Sequence, residues 1–331
     1  MTAEEIRLDR GAFVLSLDFE LIWGTLDIAG AAGFRRQCEI ERTEVVEQLL
    51  ELFIEFEIPA TWLVVGHLLL ERCDAVNGVR HPEIVRPRHA WCSADWFARD
   101  PGGDEIDAPL FFGRSLVEKI RRCPVPQEIG SHSFSHVIFG DPGCSAATAR
   151  SELEACSRAA QEIRIDLRSF SFPRNDVGHQ GLLKEYGFTC FRGPEPRWYQ
   201  APTVPSVIRR LGHLCDVLAA RRPPAVLPRR TKDGLIDIPG SMVYFPAHGP
   251  RRFLPMAWRV NRALRGIDLA AQTRRVFHLW MHPTNMADSP DKMFEGLRRI
   301  LEWAVALRTR GVLETVSMGT LASRLNAVTT P

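Results

Sequence analysis

The sequence predicts an α/β fold on a mostly parallel sheet, with seven or eight strand–helix units, enough to close a barrel. Two observations carry this. Apolar runs of strand length alternate with helix-length segments along most of the 331 residues, with no internal repeat or low-complexity stretch. Polar clusters then fall where the runs end, the place at which such folds gather their working residues.

The elements follow in order. Phe13–Phe19 reads as a buried strand, Arg42–Phe56 as an amphipathic helix, and Ala60–Gly66 as a second buried strand. Residues 71–127 break the rhythm with Pro82, Pro87, Pro101, Gly102, Gly103 and Pro109, an irregular insertion with one short helix near Ser115–Arg122. A strand returns at Glu128–Ser133, and Ser145–Ile165 carries Ala149, Leu153, Cys156, Ala160 and Ile163 at helical spacing. Ser169–Phe172 is a strand, Gly178–Tyr186 a helix, and Phe188–Phe191 a strand. Leu235–Ile238 and Val276–Met281 are further strands, the latter between helices at 256–272 and 290–309, and Leu313–Ser317 with a short helix closes the chain.

A length of 331 residues fits one large domain, the usual form of an α/β barrel. Apolar content of 45% and charged content of 25% suit a globular enzyme. No run of eighteen uncharged apolar residues exists to span a membrane. The N-terminus lacks the layout of a secretion signal, so a cytoplasmic location is expected. Eight scattered cysteines without a C-x-x-C pair are expected to be reduced thiols, not zinc ligands. The net charge of +2 hides an asymmetry: 201–275 holds thirteen Arg and one Lys against four Asp. Such a segment can meet an anion.

The chemistry-bearing residues are few. His132 and His136 follow Glu128-Ile129-Gly130-Ser131, and on one helical turn two such imidazoles would share a face and reach one ion. Asp18 and Glu20 end the first strand with their side chains on one face, where a cation or base must separate them. His282 ends the 276–281 run; His278, of the same parity but deeper, reads as structural. Ser169-Phe170-Ser171-Phe172-Pro173-Arg174-Asn175 ends another strand, where Arg174 could fix a carboxylate and a backbone N–H could meet an oxyanion. Asp27 lies too far along to share this geometry.

Taken in order, Asp-x-Glu, Glu-Ile-Gly-Ser-His-Ser-x-x-His, Phe-Pro-Arg-Asn and Met-His-Pro resemble the polysaccharide deacetylase family, the nodulation-type deacetylase homology domain of carbohydrate esterase family 4. The resemblance runs from about Phe13 to Leu325 and implies one catalytic domain over 1–331, an irregular (β/α)7 barrel. It implies Asp18 as general base, His282 as general acid, and a divalent metal on Glu20, His132 and His136. Zn2+ is the expected ion, with Co2+, Ni2+ or Mn2+ as alternatives. The third motif matches only at Pro173: Ser171 stands at the usual arginine position, and Arg174 is the candidate replacement. Glu195 is the candidate for the usual acidic partner of His282, and the family's adjacent aspartates are here separated by Phe19.

The implied activity is removal of an N-acetyl or O-acetyl group from a saccharide, expected to be a cytosolic, nucleotide-linked or lipid-linked glycan precursor. Two other readings remain open: a deformylase or cyclic-amide hydrolase of the same chemistry, and a saccharide-binding protein that has lost catalysis. Trp23, Trp198 and Trp280 are candidates for stacking on sugar rings. No nucleic-acid partner is expected. Met256, Val260, Ala263, Leu264 and Ile267 form a helical stripe with Arg259, Arg262 and Arg265 around it. That pattern reads either as an ordinary barrel helix with solvated arginines or as peripheral contact with an anionic membrane or phosphate groups.

Overall fold

The computed structural model describes residues 4–26, 31–196, 222–247 and 253–327. Its centre is β1 (Gly11–Phe19), a nine-residue strand with every residue buried. A strand covered on both faces reads as a continuous apolar run, which is why this segment is legible. The other strands are β2 (Thr61–Val64), β3 (Glu128–Ser131), β4 (Ser169–Ser171), β5 (Cys190–Arg192), β6 (Ile236–Asp237), β7 (Met242–Val243), β8 (Val276–Met281) and β9 (Leu313–Thr315). Their order across the curled sheet is β6-β5-β4-β3-β2-β1-β8-β7, with β9 beside the start of β1, and all these pairings are parallel. Short antiparallel pairings through Arg229–Arg230 and Glu4–Glu5 extend the β6 edge.

The two ends of this sheet are linked by one stretch of chain. Ile238 and Gly240 donate backbone hydrogen bonds to Phe191 and Gly193, then Ser241 and Tyr244 donate to His278 and Trp280. Residues 236–244 thus begin against β5 and finish against β8, which makes the barrel irregular there. Buried polar side chains lie on the strands beside an apolar cluster of Ala12, Val14, Leu63 and Ile236. At the barrel's lower end Glu128 accepts from Thr61 Oγ1 (2.8 Å), Ser169 Oγ (2.5 Å) and the Gly319 amide (2.9 Å). Those bonds satisfy a charge that would be costly to bury unpaired.

Outer helices supply the apolar cover. Val46, Leu49, Leu50 and Phe53 bury one face of the Val46–Glu55 helix, and Phe53 meets Trp62 of β2 at 6.2 Å between ring centroids. Each such buried side chain contributes about 1.5–3 kcal/mol of transfer free energy. This helix is preceded by a helical segment from Arg35 and a five-residue π turn at Glu41–Val45, so it starts earlier than the apolar spacing predicts. Gly178–Tyr186 is helical only over Leu182–Glu185, because His179 is left-handed (φ 52°) and Gly178 is pressed against the Phe139 carbonyl.

The basic helix Met256–Thr273 is part of the barrel wall. Val260, Ala263 and Ile267 lie in the core, and Gly266 lets it approach the Phe277 ring, where any Cβ would come within 2.2 Å. Arg259 and Arg262 are buried rather than solvated: Arg259 donates to the Pro246 carbonyl at 3.1 Å, and Arg262 stacks on Trp258 at 5.5 Å. The apolar stripe therefore faces the sheet. Residues 201–221 and 248–252 of the basic segment, with Trp198 and Asp27, lie outside the described residues. Among the described residues no helix is long and apolar enough to cross a membrane.

Candidate metal and catalytic centre

At the other end of the barrel, the C-terminal ends of β1, β3, β4, β5 and β8 converge. Glu20 leaves β1 with its carboxylate between three imidazoles. Its Oε1 lies 2.9 Å from His132 Nε2, 3.3 Å from His136 Nε2 and 3.4 Å from His282 Nε2. Asp18, one turn of the strand's alternation earlier, sits 3.9 Å from His282 Nε2. All four sequence-predicted residues around Glu20 are thus brought together, and Glu20, His132 and His136 form one group able to hold an ion.

The two histidines do not meet by helical spacing. β3 ends at Ser131, and the loop turns through left-handed residues Ser133 (φ 60°) and His136 (φ 64°). Such backbone persists only where the surroundings over-determine it. Here Glu152, buried on the Ala146–Glu162 helix, accepts from the Phe134 amide (2.9 Å), the Ser135 amide (2.8 Å) and Ser135 Oγ (2.6 Å). Burial lifts the Glu152 carboxyl above the usual range despite those donors.

Whether these residues suit a cation can be tested on their lone pairs. His132 Nδ1 lies 2.9 Å from the Ser171 carbonyl, which can only accept, and 2.6 Å from Ser171 Oγ, whose own proton goes to Asp18 Oδ1, so that nitrogen carries the proton. Nε2 then presents a lone pair to Glu20 Oε1, itself buried and accepting no directed hydrogen bond. Two lone pairs 2.9 Å apart repel unless a positive centre lies between them. The donor set, two imidazoles and a carboxylate, is that of a catalytic divalent site with further positions left for water or substrate. A backbone carbonyl orienting a ligand histidine is the expected outer support.

Gly24 closes this site from the 3₁₀ turn after β1. A Cβ built there would lie 1.6 Å from Glu20 Oε2, with no room for the carboxylate to keep its place. Gly24→Ala is therefore expected to weaken divalent-metal affinity about 10- to 100-fold with the fold retained. Competition against a fluorescent chelator would measure it, and unchanged affinity would show that the Glu20 position is not critical.

Asp18 is held by a residue to which the sequence assigns no role. Arg192, at the end of β5, donates to both of its oxygens, Nη1 to Oδ1 at 2.9 Å and Nη2 to Oδ2 at 2.6 Å. Ser171 Oγ adds a bond to Oδ1 at 3.2 Å. Burial, the largest single influence, would raise the Asp18 carboxyl, but the Arg192 charge and hydrogen bonds, with the neighbouring His132 and His282 imidazoles, together hold it below the usual range. The guanidinium also donates to Ser16 Oγ at 3.0 Å and lies 4.4 Å over the Trp280 ring. His278 bonds Ser16 Oγ at 2.8 Å and the Ile238 carbonyl at 3.0 Å. Burial drives its imidazole down to about 3, which makes it a neutral brace of this network.

Arg174 is elsewhere. Its backbone is left-handed (φ 59°) and its Nη2 donates to the Gly24 carbonyl at 3.2 Å. It borders the candidate metal residues: burial chiefly depresses the His136 imidazole, and the Arg174 charge adds a smaller share. The guanidinium paired with Asp18 comes from β5, while Arg174, the candidate replacement for the third-motif arginine, lies against the Gly24 carbonyl. Glu195 accepts from Trp280 Nε1 at 3.3 Å. For His282 burial pulls the imidazole down, yet the Glu20 and Asp18 carboxylates outweigh it and the net shift is upward. Trp23 is buried among His67, Phe97 and Phe111 rather than exposed to a sugar.

Sequence reasoning also missed Glu41. It lies in the π turn, fully buried, with neither carboxylate oxygen hydrogen-bonded, and burial with the Glu20 charge keeps its carboxyl well above the usual range. A π turn is a recurrent mark of functional sites. No sequence signal distinguishes it from an ordinary helix. A second group missed was Cys73 with His67, His81 and Asp100, which meet beneath the metal loop against the expectation that no thiol would join a metal-type cluster.

No family model matches the chain, and no curated protein matches it. Solved structures do. A chain from Mycobacterium smegmatis assigned as a polysaccharide deacetylase superposes with a TM-score of 0.64 at 14% identity, covering 100% of this chain and 96% of that one. The architecture is the polysaccharide deacetylase fold. A second structure assigned to polysaccharide deacetylases, from Pseudomonas aeruginosa PAO1, gives a TM-score of 0.58 at 13% identity over 97% of this chain and 92% of that one. The Puue allantoinase gives the same 0.58 at 13% identity, over 97% and 91%. The same fold is thus shared with an allantoinase, and the present chain spans nearly all of it. In this chain the side chains of Asp18, Glu20, His132, Arg192 and His282 meet at the strand ends.

Proposed function

We propose that this chain is a metal-dependent hydrolase that removes an N-acetyl group from a saccharide. The observation that carries the reading is the Asp18–Arg192 pair beside the Glu20–His132–His136 group, with His282 Nε2 3.4 Å from Glu20 and 3.9 Å from Asp18. Glu20, His132 and His136 would hold a divalent ion, Zn2+ in this proposal, which polarises an acyl oxygen and acidifies water when bound.

Asp18, ionised because Arg192 neutralises it, would accept the proton of the attacking water. His282, which faces the Asp18 and Glu20 carboxylates, would in its protonated form deliver a proton to the leaving nitrogen, otherwise a poor leaving group. Arg174 in this reading borders the developing oxyanion, a role supported by its left-handed backbone at the rim and its charge beside His136. A small cytosolic, nucleotide-linked or lipid-linked saccharide is the proposed substrate. The Puue allantoinase likeness supports a second reading, opening of a cyclic amide by the same groups.

Acetate, formate and ring-opening assays of the Zn2+-loaded chain on N-acetylated sugars, formamido sugars and cyclic ureides separate these readings. Acetate release from an N-acetyl sugar is expected. Ring opening alone would move the assignment to the cyclic amide, and loaded protein that binds a sugar without release would leave a binding protein. His132→Ala is expected to lose the ion of this centre and its turnover together; full activity without metal would end the scheme.

A further inference from the structure

We infer that the chain holds a second metal ion, structural rather than catalytic, on His67, Cys73, His81 and Asp100. All four are buried, and their ligand atoms lie within 4.8 Å of one another. Asp100 Oδ2 is 3.4 Å from both His67 Nε2 and His81 Nε2 and 3.6 Å from Cys73 Sγ, and Cys73 Sγ is 3.0 Å from His81 Nε2. Bonds of about 2.0–2.3 Å to a tetrahedral zinc place ligand atoms about 3.3–3.7 Å apart, close to this spacing.

The outer partners fix the same assignment. His67 Nδ1 lies 3.0 Å from the Phe111 carbonyl, so it is the protonated nitrogen and the neutral ring turns a lone pair at Nε2 inward. That Nε2 is buried without a hydrogen bond. His81 Nδ1 faces Glu83 at 3.5 Å, which turns its Nε2 inward in the same way. The outer oxygen of Asp100 is occupied by the Gly102 amide at 2.9 Å, leaving Oδ2 for the centre. His81 also holds a left-handed backbone (φ 43°), the type of strain found at ligand clamps. The Cys73 thiol has one proton to offer, and the inward lone pairs of two imidazoles and a carboxylate converge on it in an aromatic shell, so the four groups cannot all satisfy one another. A borderline-soft divalent cation satisfies all four and would take the thiol as thiolate.

The fold explains why such an ion is needed. Three of the ligands come from residues 73–100 of the irregular insertion, whose described secondary structure there is the antiparallel pairing of Arg72–Cys73 with Gly103–Asp104 and a single Val76–Val79 bridge. The fourth, His67, follows β2 and accepts the metal loop: its amide bonds the Phe134 carbonyl at 2.9 Å, and the Gly66 amide bonds that of Ser133 at 2.8 Å. The Phe134 ring then packs at an angle against His67 (5.6 Å) and edge-on against His81 (5.1 Å). The ion would pin a poorly structured insertion under the segment carrying His132 and His136. Four protein ligands leave it no open position, the mark of a structural site.

Full-length protein loaded with Co2+ tests this without relying on any catalytic assay. Wild type and His132→Ala should both show thiolate-to-cobalt charge transfer in the near ultraviolet, and Cys73→Ser should lose it. Elemental analysis should give two ions per chain in wild type and one in His132→Ala. One ion in wild type, none in His132→Ala and no thiolate band in either would overturn the inference. Because that comparison uses no variant of the proposed second site, it stands even where Cys73→Ser does not fold. Wild type with two ions and no hydrolytic activity would support this site while the proposed reaction fails.

Discussion

Asp18→Asn is expected to lower turnover about 100- to 10,000-fold, the usual contribution of a positioned general base, while bound metal stays near the wild-type level. The geometry argues for that separation. Asp18 has both oxygens committed to Arg192, with Ser171 adding to one, whereas Glu20 carries the oxygen facing His132 and His136. Asparagine keeps the shape and one of the two acceptors for Arg192 but cannot take a proton. His282→Ala should give a loss of similar size, largest for substrates with a poor leaving group, because the proton to the leaving nitrogen is then missing. An activated ester should recover much of the lost rate in His282→Ala and little of it in Asp18→Asn. Loss of metal in Asp18→Asn would instead make Asp18 a ligand and shift the base elsewhere.

How far this site could be read in the sequence follows from what each residue's signal was. Buried parallel strands are apolar runs, so β1 and β8 appear at nearly their true bounds, and Asp18, Glu20 and His282 are legible as polar residues ending them. His132 and His136 were legible as a pair though not for the reason offered, since the loop brings them together through two left-handed residues and the Glu152 brace. Arg192 was not legible. A strand of three residues, Cys190–Arg192, gives almost no periodicity, and nothing local shows that its last side chain enters the barrel. The cluster at His67 failed for a different reason: the Cys73, His81 and Asp100 spacings follow no regular element, and their contact exists only once the insertion folds back on β2.

The second large effect belongs to Arg192. Arg192→Met should destabilise the fold by about 3–5 kcal/mol, the usual cost of stranding one member of a buried pair. Both side chains are almost fully excluded from solvent, at 1% and 3%, so water cannot compensate the carboxylate left behind. Two further readouts distinguish this from a simple packing defect. The first is Asp18→Asn combined with Arg192→Met, which removes both charges; most of the stability should return in denaturant unfolding, and activity should not. The second is the pH profile of whatever activity Arg192→Met retains. Arg192 lowers the Asp18 carboxyl, so without it the group protonates at higher pH, and a base must be ionised to act. The acid limb of the profile should therefore move upward. Stability contributed by the lowered carboxyl is likewise present above its unfolded value and lost as pH falls through the folded one, so the gap between wild type and Arg192→Met should narrow in acid. An unmoved acid limb would mean that the guanidinium positions β5 but does not set the charge of the base.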